Sequence, residues 1–346
     1  MNKYIPEKIN VMTEYVPNKG EFTVRLDANE SPYLPSEDLQ RKIEKAAFSA
    51  AFNRYPDASS EELIKAFCKR FGVSPKQTAA GNGSDELINV ISTVFLTPED
   101  KVLICPPDFS MYAFYPETIG AKIVRVEREN GYVNCDKMIG CANSEKVKMI
   151  FFSNPCNPTG RLMKREEVVN ILENTDCIVV CDEAYMEFSS ENESVMELCD
   201  KYDRLIVLKT LSKAFGIAGL RVGFAVSNED IGAAIRKVKS PYNVNSFSQA
   251  AATVILNDGW DEINKNYETL KKNTEELRKA LGAIGYPSER TDTNFVLINT
   301  KRAKEIFDKL AKTGIAIRCF SSDDLLRITC GTKEENEALI NALKSI

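Results

Sequence analysis

Lys213, in the stretch TLSKAFGIAGLRVGF (210–224), stands just beyond an apolar run, RLIVLKT (204–210), that reads as a buried strand. Ligands of open α/β sheets sit at the carboxyl ends of strands. A lysine placed there among small and apolar residues loses its proton more easily than one in water, and the neutral amine can attack an aldehyde. Thr210, Ser212 and Arg221 in the same stretch are suitable donors for a phosphate. Taken alone, a lysine is more often a solvated surface charge; the string around it changes that reading.

Four further segments carry candidate groups, three of them just after apolar runs. CIVVCD (177–182) ends in Asp182, with Tyr185 three residues on in DEAYMEF. A carboxylate there can hold a pyridine-type nitrogen protonated, which makes the ring an electron sink, and Tyr185 can donate to a ring oxygen. By itself Asp182 is as readily a helix N-cap. VKMIFF (147–152) leads into SNPCNPTG (153–160), whose two X-Pro bonds lock a special turn, with a cis peptide among the options, and fix Asn157. By itself the motif is a rigid turn. AAGNGSDELINVI (79–91) sets Gly81 and Gly83 before a helix opening at Ser84, Asp85 and Glu86. Free N–H groups there make a phosphate cradle, on what is a capped helix start in either case. In PPDFSMY (106–112), Phe109 offers a flat face for a ring to stack on, or is a core aromatic.

The elements that must position these groups alternate in type. From about residue 37 to 240, strand-like runs (102–105, 122–126, 147–152, 177–182, 204–210, 221–227) alternate with helical patterns. That is the signature of a mostly parallel sheet between helices, its strands nearly continuous in apolar residues because both faces are buried. Ser59 and Ser60 read as caps for EELIKAFCKRF, with Gly72 ending it. A long polar helix (257–282), a strand (293–300), a helix (303–313), a strand (325–331) and a last helix predict a smaller α+β unit. We expect an arm over 1–30, a large domain over 31–240 and a small C-terminal domain over 241–346, as suits 346 residues.

Composition removes other chemistries. The chain contains no histidine, so imidazole ligands, Ser-His and Cys-His nucleophile pairs and histidine bases are out, and proton transfer falls to Lys, Tyr, Cys or carboxylates. Ten cysteines without a C-x-x-C pair, several inside apolar runs, read as buried thiols, with no metal site expected. A formal charge of −5 gives no general pull toward nucleic acid or anionic membranes. The first twenty residues lack the apolar core of a signal peptide, and no run has the roughly 18 apolar residues of a membrane span, so a cytoplasmic protein is expected. The short arm is too small for a DNA-reading domain.

SNPCNPTG, DEAY and TLSKAFGIAGLRVG, in this order and at these spacings, resemble the class I/II aminotransferases of the fold-type-I pyridoxal-phosphate enzymes. The resemblance covers essentially the whole chain. It implies pyridoxal 5'-phosphate as cofactor, with Lys213 as Schiff-base residue and proton shuttle. LDANESPY (26–33), NRYPDASSEEL (53–63), GNGSDELI and LLRITCGTKEEN (325–336) resemble the histidinol-phosphate branch of that family. By that resemblance Tyr55 reaches the cofactor phosphate of a neighbouring subunit in a homodimer. Arg327 grips the carboxylate of glutamate or 2-oxoglutarate, and Tyr15, Asn29 and Arg318 serve the substrate. The same two arginines would suit a phosphothreonine decarboxylase or an aromatic aminotransferase. Phe109 stands where a tyrosine is often expected, which keeps the stacking face and drops a hydroxyl; no function attaches to Cys156.

Overall fold

Apolar runs too hydrophobic to face water on either side become the centre of a layered fold in the computed structural model, which describes residues 3–10, 12, 14, 18–320 and 324–346. Its strands are β1 (Val24–Leu26), β2 (Thr78–Gly81), β3 (Lys101–Ile104), β4 (Lys122–Arg125), β5 (Met149–Ser153), β6 (Ile178–Asp182), β7 (Leu205–Thr210), β8 (Gly223–Val226), β9 (Phe295–Asn299), β10 (Ile315–Phe320) and β11 (Leu325–Thr329). Seven of them form one sheet in the order β2-β8-β7-β6-β5-β3-β4. Neighbours from β7 to β4 are parallel, whereas β8 is antiparallel to both β7 and β2. β2 therefore runs in the same direction as β7, and the carboxyl ends of β2, β3, β5, β6 and β7 share one edge.

Alternation along each strand sends successive side chains to opposite faces. Ile150 and Phe152 join Leu103, Val179, Cys181 and Val207 on one face. Met149 and Phe151 join Val102, Val180, Ile206 and Leu208 on the other. Helices Gly83–Phe95, Met111–Ile119 and Glu229–Val238 cover the second face, and Glu61–Phe71, Cys135–Glu145, Arg165–Asn174 and Ser246–Asp258 the first. Each large side chain buried this way contributes about 1.5–3 kcal/mol. After β3 the chain moves outward to β4, and after β5 it moves the other way to β6 and β7. Connections that diverge like this leave a crevice at the carboxyl edge, the usual place for a ligand.

A second sheet, β1-β10-β11-β9, lies alongside. β10 and β11 are antiparallel with Arg318 opposite Arg327. β1 is parallel to β10 with Leu26 opposite Ile317, so residues 27–29 leave this small sheet directly toward the crevice.

The structure differs from the sequence reading in local places. Residues 24–26, 78–81 and 315–320 are strands where none was expected. The polar helix expected over 257–282 is the helix Trp260–Ala283, preceded across Gly259 by a separate helix, Ser246–Asp258. Ser60 sits at the start of helix Glu61–Phe71 in a left-handed conformation and makes no cap bond. Asp57 takes that role, its carboxylate accepting from the N–H of Glu61 at 2.6 Å and that of Ser59 at 3.0 Å.

Candidate active site

The loops that leave β3, β5, β6 and β7 enclose a cavity of about 450 Å³ together with residues 27–29, the start of helix Gly83–Phe95, and the ends of β10 and β11. Asn29, Ser84, Asp85, Phe109, Asn157, Asp182, Tyr185, Thr210, Ser212, Lys213, Arg221, Arg318 and Arg327 all line it, although they come from eight separate stretches of sequence.

Lys213 is half-buried, and its Nζ donates to the carbonyl of Ala28 at 2.9 Å. Burial, and next the nearby charge of Arg327, bring its ammonium down to about 8, against the pull of Glu30 and Asp85. A usable fraction of the amine is then neutral near physiological pH, as attack on an aldehyde requires.

Asp182 closes β6, level with Ser153 on β5. Its Oδ2 accepts from the Tyr112 hydroxyl at 2.8 Å and its Oδ1 from the N–H of Ala184 at 3.0 Å. Burial pushes this carboxyl up to about 7 although both hydrogen bonds favour the anion. A cation set against Asp182 would restore its charge at neutral pH. Tyr112 is fully buried, 5.6 Å from the Phe151 ring and parallel to it, and its phenol is raised well above its ordinary value by burial and by Asp182. Tyr185 is also buried. Burial raises its phenol to about 12, with Arg327 and the Asn29 amide acting the other way.

A third group of donors sits at the start of helix Gly83–Phe95. Arg221 reaches Asp85 at 3.2 Å and Ser212 Oγ at 3.4 Å, and Thr210 Oγ1 donates to Ser212 Oγ at 3.0 Å. Two glycines allow this closeness. A Cβ on Gly83, whose φ is +81°, would lie 2.6 Å from the Arg221 guanidinium, and one on Gly223 would lie 2.5 Å from the Ser84 nitrogen. Hydroxyls, a guanidinium and helix-start N–H groups converging in this way form an anion cradle.

Arg327 donates to Asn157 Oδ1 at 2.6 Å and to the Asp27 carbonyl at 2.7 Å. Residues directly opposite in an antiparallel pair share a face, so Arg318 and Arg327 bring two cations to one wall of the cavity. Side-by-side like charges repel, and a bound anion would relieve that.

Several groups here were not singled out from sequence. Asp108 lines the cavity and forms a buried ion pair with Arg128 at 2.6 Å, both side chains at most 3% exposed. Ser153 donates its hydroxyl and its N–H to Asp108, and Ser153 Oγ in turn accepts from the N–H of Asn157 at 3.0 Å. The pair thus holds the turn that carries Asn157. Tyr112 was discoverable, since it closes the same PPDFSMY segment as Phe109. Asp108 and Arg128 lie twenty residues apart, with no local pattern to join them. Both X-Pro bonds of the Asn157 turn are cis.

Among the described residues, Glu86 is expected in the cavity and does not line it, whereas Tyr55 is expected at a neighbouring subunit's site. Glu86 caps its own helix, accepting from the N–H of Asn82 at 2.6 Å and from Asn243 at 2.7 Å, because an acid in a first turn is well placed to satisfy free N–H groups. Tyr55 is 81% exposed and stacks on Tyr242 with ring centres 4.6 Å apart. Tyr15 lies outside the described residues.

Residues 23–343 match the model of the family "Aminotransferase class I and II". The chain belongs to that family. The aminotransferase is 41% identical over 332 residues to histidinol-phosphate aminotransferase of Clostridium novyi, covering 94% of this chain and 92% of that protein. It is 38% identical to the Clostridium kluyveri protein of the same name over 100% and 99% of the two chains. In fold it matches histidinol-phosphate aminotransferase from Sinorhizobium meliloti, solved with pyridoxal-5'-phosphate, with a TM-score of 0.92 at 22% identity over 100% of this chain and 98% of that one. The aminotransferase's own donor set fits that cofactor in kind: an anion cradle, a buried carboxyl for a ring nitrogen and an amine of lowered pKa all line one cavity.

Proposed function

We propose that this aminotransferase moves an amino group between L-histidinol phosphate and 2-oxoglutarate, giving imidazole acetol phosphate and glutamate, in histidine biosynthesis. The observation that carries the reading is that the cross-strand pair Arg318 and Arg327 lines the same cavity as Lys213. One amino donor here is a phosphate ester without a carboxylate and the other a dicarboxylate, so a single wall must accept two kinds of anion. Two adjacent guanidinium groups do so, Arg327 as a two-pronged donor to carboxylate. The names of the curated relatives point the same way.

When bound, pyridoxal 5'-phosphate supplies an aldehyde for amines and a ring that takes up the electron pair freed at the substrate's α-carbon. In this reading the backbone N–H groups of Ser84 and Asp85 and the side chains of Thr210, Ser212 and Arg221 would hold its phosphate. Asp182, itself held by Tyr112, keeps the ring nitrogen protonated, and Phe109 covers one ring face. Asn157 and Tyr185 donate to the ring oxygen. Lys213 would hold the cofactor at its aldehyde carbon, and its amine would take up and return the proton of the substrate's α-carbon. A lysine titrating near 8 can both take and return that proton, which suits a chain without histidine. Arg318, Asn29 and Tyr15 complete the substrate side.

We also assign the chain an arm (1–30), a large domain (31–240) and a small domain (241–346), and place it in the cytoplasm as a homodimer. Exposed Tyr55 on Tyr242 and Phe52 against Phe247 form an aromatic surface suited to a second copy, through which Tyr55 would reach the neighbouring cofactor phosphate. No helix among the described residues is long and apolar enough to cross a membrane.

The test is a substrate panel on the yellow holoenzyme. Glutamate and histidinol phosphate should each discharge its absorbance, and 2-oxoglutarate should restore it. Release of carbon dioxide from threonine phosphate without glutamate formation would overturn the assignment.

A further inference from the structure

We infer that Asn29 is a positioning residue for Tyr185, fixing the direction in which the Tyr185 hydroxyl presents its proton to the cofactor's ring oxygen. The inference rests on the reading above that Tyr185 faces that ring.

Asn29 follows β1 and is 1% exposed, with φ at +55°, a left-handed conformation that asparagine tolerates better than most residues. Its amide orientation is decided by Thr329 on β11. The backbone N–H of Asn29 donates to Thr329 Oγ1 at 2.9 Å, so that oxygen is used as an acceptor and its proton is free to go to Asn29 Oδ1, 3.0 Å away. With Oδ1 committed as an acceptor, Nδ2 must be the atom turned to Tyr185, and it donates to the phenol oxygen at 2.8 Å. A phenol oxygen that accepts from Asn29 still holds its own proton, which is directed away from Asn29 on a side chain that lines the cavity. Asn294 braces the segment by donating to the Asn29 carbonyl at 3.1 Å, and Arg327 does so by donating to the Asp27 carbonyl. The small sheet therefore sets the donor direction of a side chain that belongs to the large one.

A proton donated to the ring oxygen favours its anionic form, and with it the form in which the nitrogen joining Lys213 to the cofactor has lost its proton. Weakening that donation raises the pH midpoint at which the holoenzyme's absorbance changes. The experiment is a pH titration of the holoenzyme spectrum in wild type, Asn29→Gly, Tyr185→Phe and the double variant. Asn29→Gly removes the amide while keeping the left-handed backbone and the N–H bond to Thr329. Tyr185→Phe should raise the midpoint by about one pH unit, the scale of one hydrogen bond to a charged group. Asn29→Gly should raise it by a part of that, and in the Tyr185→Phe background should add nothing. An equal shift in both backgrounds, or none in wild type, overturns the inference; no shift from Tyr185→Phe itself overturns the underlying placement of Tyr185. Should Asn29→Gly fail to fold, Asn29→Asp keeps the shape but cannot donate. It would take the phenol's proton for itself and also add a negative charge, so it should raise the midpoint at least as far as Tyr185→Phe and by less when Tyr185→Phe is already present; an equal rise in both backgrounds would again overturn the inference.

Discussion

Reconstitution of the apoenzyme measures the charge state of Lys213 directly, because only a neutral amine attacks the aldehyde of added pyridoxal phosphate. Lys213 titrates near 8 rather than at 10.5, by burial first and by Arg327 second. At pH about 7.5 a lysine titrating near 8 is about 24% neutral and an ordinary one about 0.1%, a difference of about 200-fold in reactive amine. The rate of yellow-colour formation should therefore climb about tenfold per pH unit on the acid side and level off above about 8. Arg327→Met removes the second cause and leaves the first, so the midpoint should rise but stay below 10.5. Glu30 acts in the opposite sense, so Glu30→Gln should lower the midpoint. A wild-type midpoint at 10 or above would refute the argument. So would a shift of the two variants in the same direction, because the electrostatics of the cavity would then not be those of Arg327 and Glu30 around one amine.

Asp182, raised to about 7 from an ordinary 3.8, holds a proton in the folded apoenzyme that the unfolded chain has released. Its contribution to stability is fullest below 3.8 and is lost as the pH rises to about 7. Melting of the apoenzyme between pH about 4 and 7 should show wild type losing ground to Asp182→Asn as pH rises, and parallel curves would count against the assignment. Arg128→Met leaves the buried Asp108 carboxylate without its partner and should cost about 3–5 kcal/mol in urea denaturation, most of it regained when Asp108→Asn is added. Gly223→Ala places a methyl 2.5 Å from the Ser84 nitrogen and should weaken cofactor binding by about tenfold or more in equilibrium dialysis, the worth of about one charge-assisted hydrogen bond.

What the sequence made legible, and what it hid, follows from how each contact is made. β5, β6 and β7 are buried on both faces and so are written as continuous apolar runs; residues placed at their carboxyl ends inherit that clarity. Asp182, Ser212 and Lys213 are thus assigned to one crevice by the sequence itself. β2 is Thr-Ala-Ala-Gly, whose small side chains allow close packing but carry no strand signal, and β1 is three residues long and held by its pairing with β10 rather than by its own preference. β10 breaks its apolar pattern with Arg318, the residue it delivers to the cavity. The hidden parts of the site share this cause. Asp108 with Arg128, Tyr112 with Asp182, and Asn29 with Tyr185 and Thr329 are partnerships of 20, 70, 156 and 300 residues' separation, made only when strands from different parts of the chain meet at one edge. Glu86 shows the converse limit: an acid at a helix start satisfies the same local rule whether it faces a ligand or caps its own N–H groups, and here it is the backbone that holds it. Local sequence therefore identifies the groups that line the cavity, while the groups that aim them are set by topology, which is why Asn29, rather than any residue of the strand-end motifs, is the one hydrogen-bonded to Tyr185.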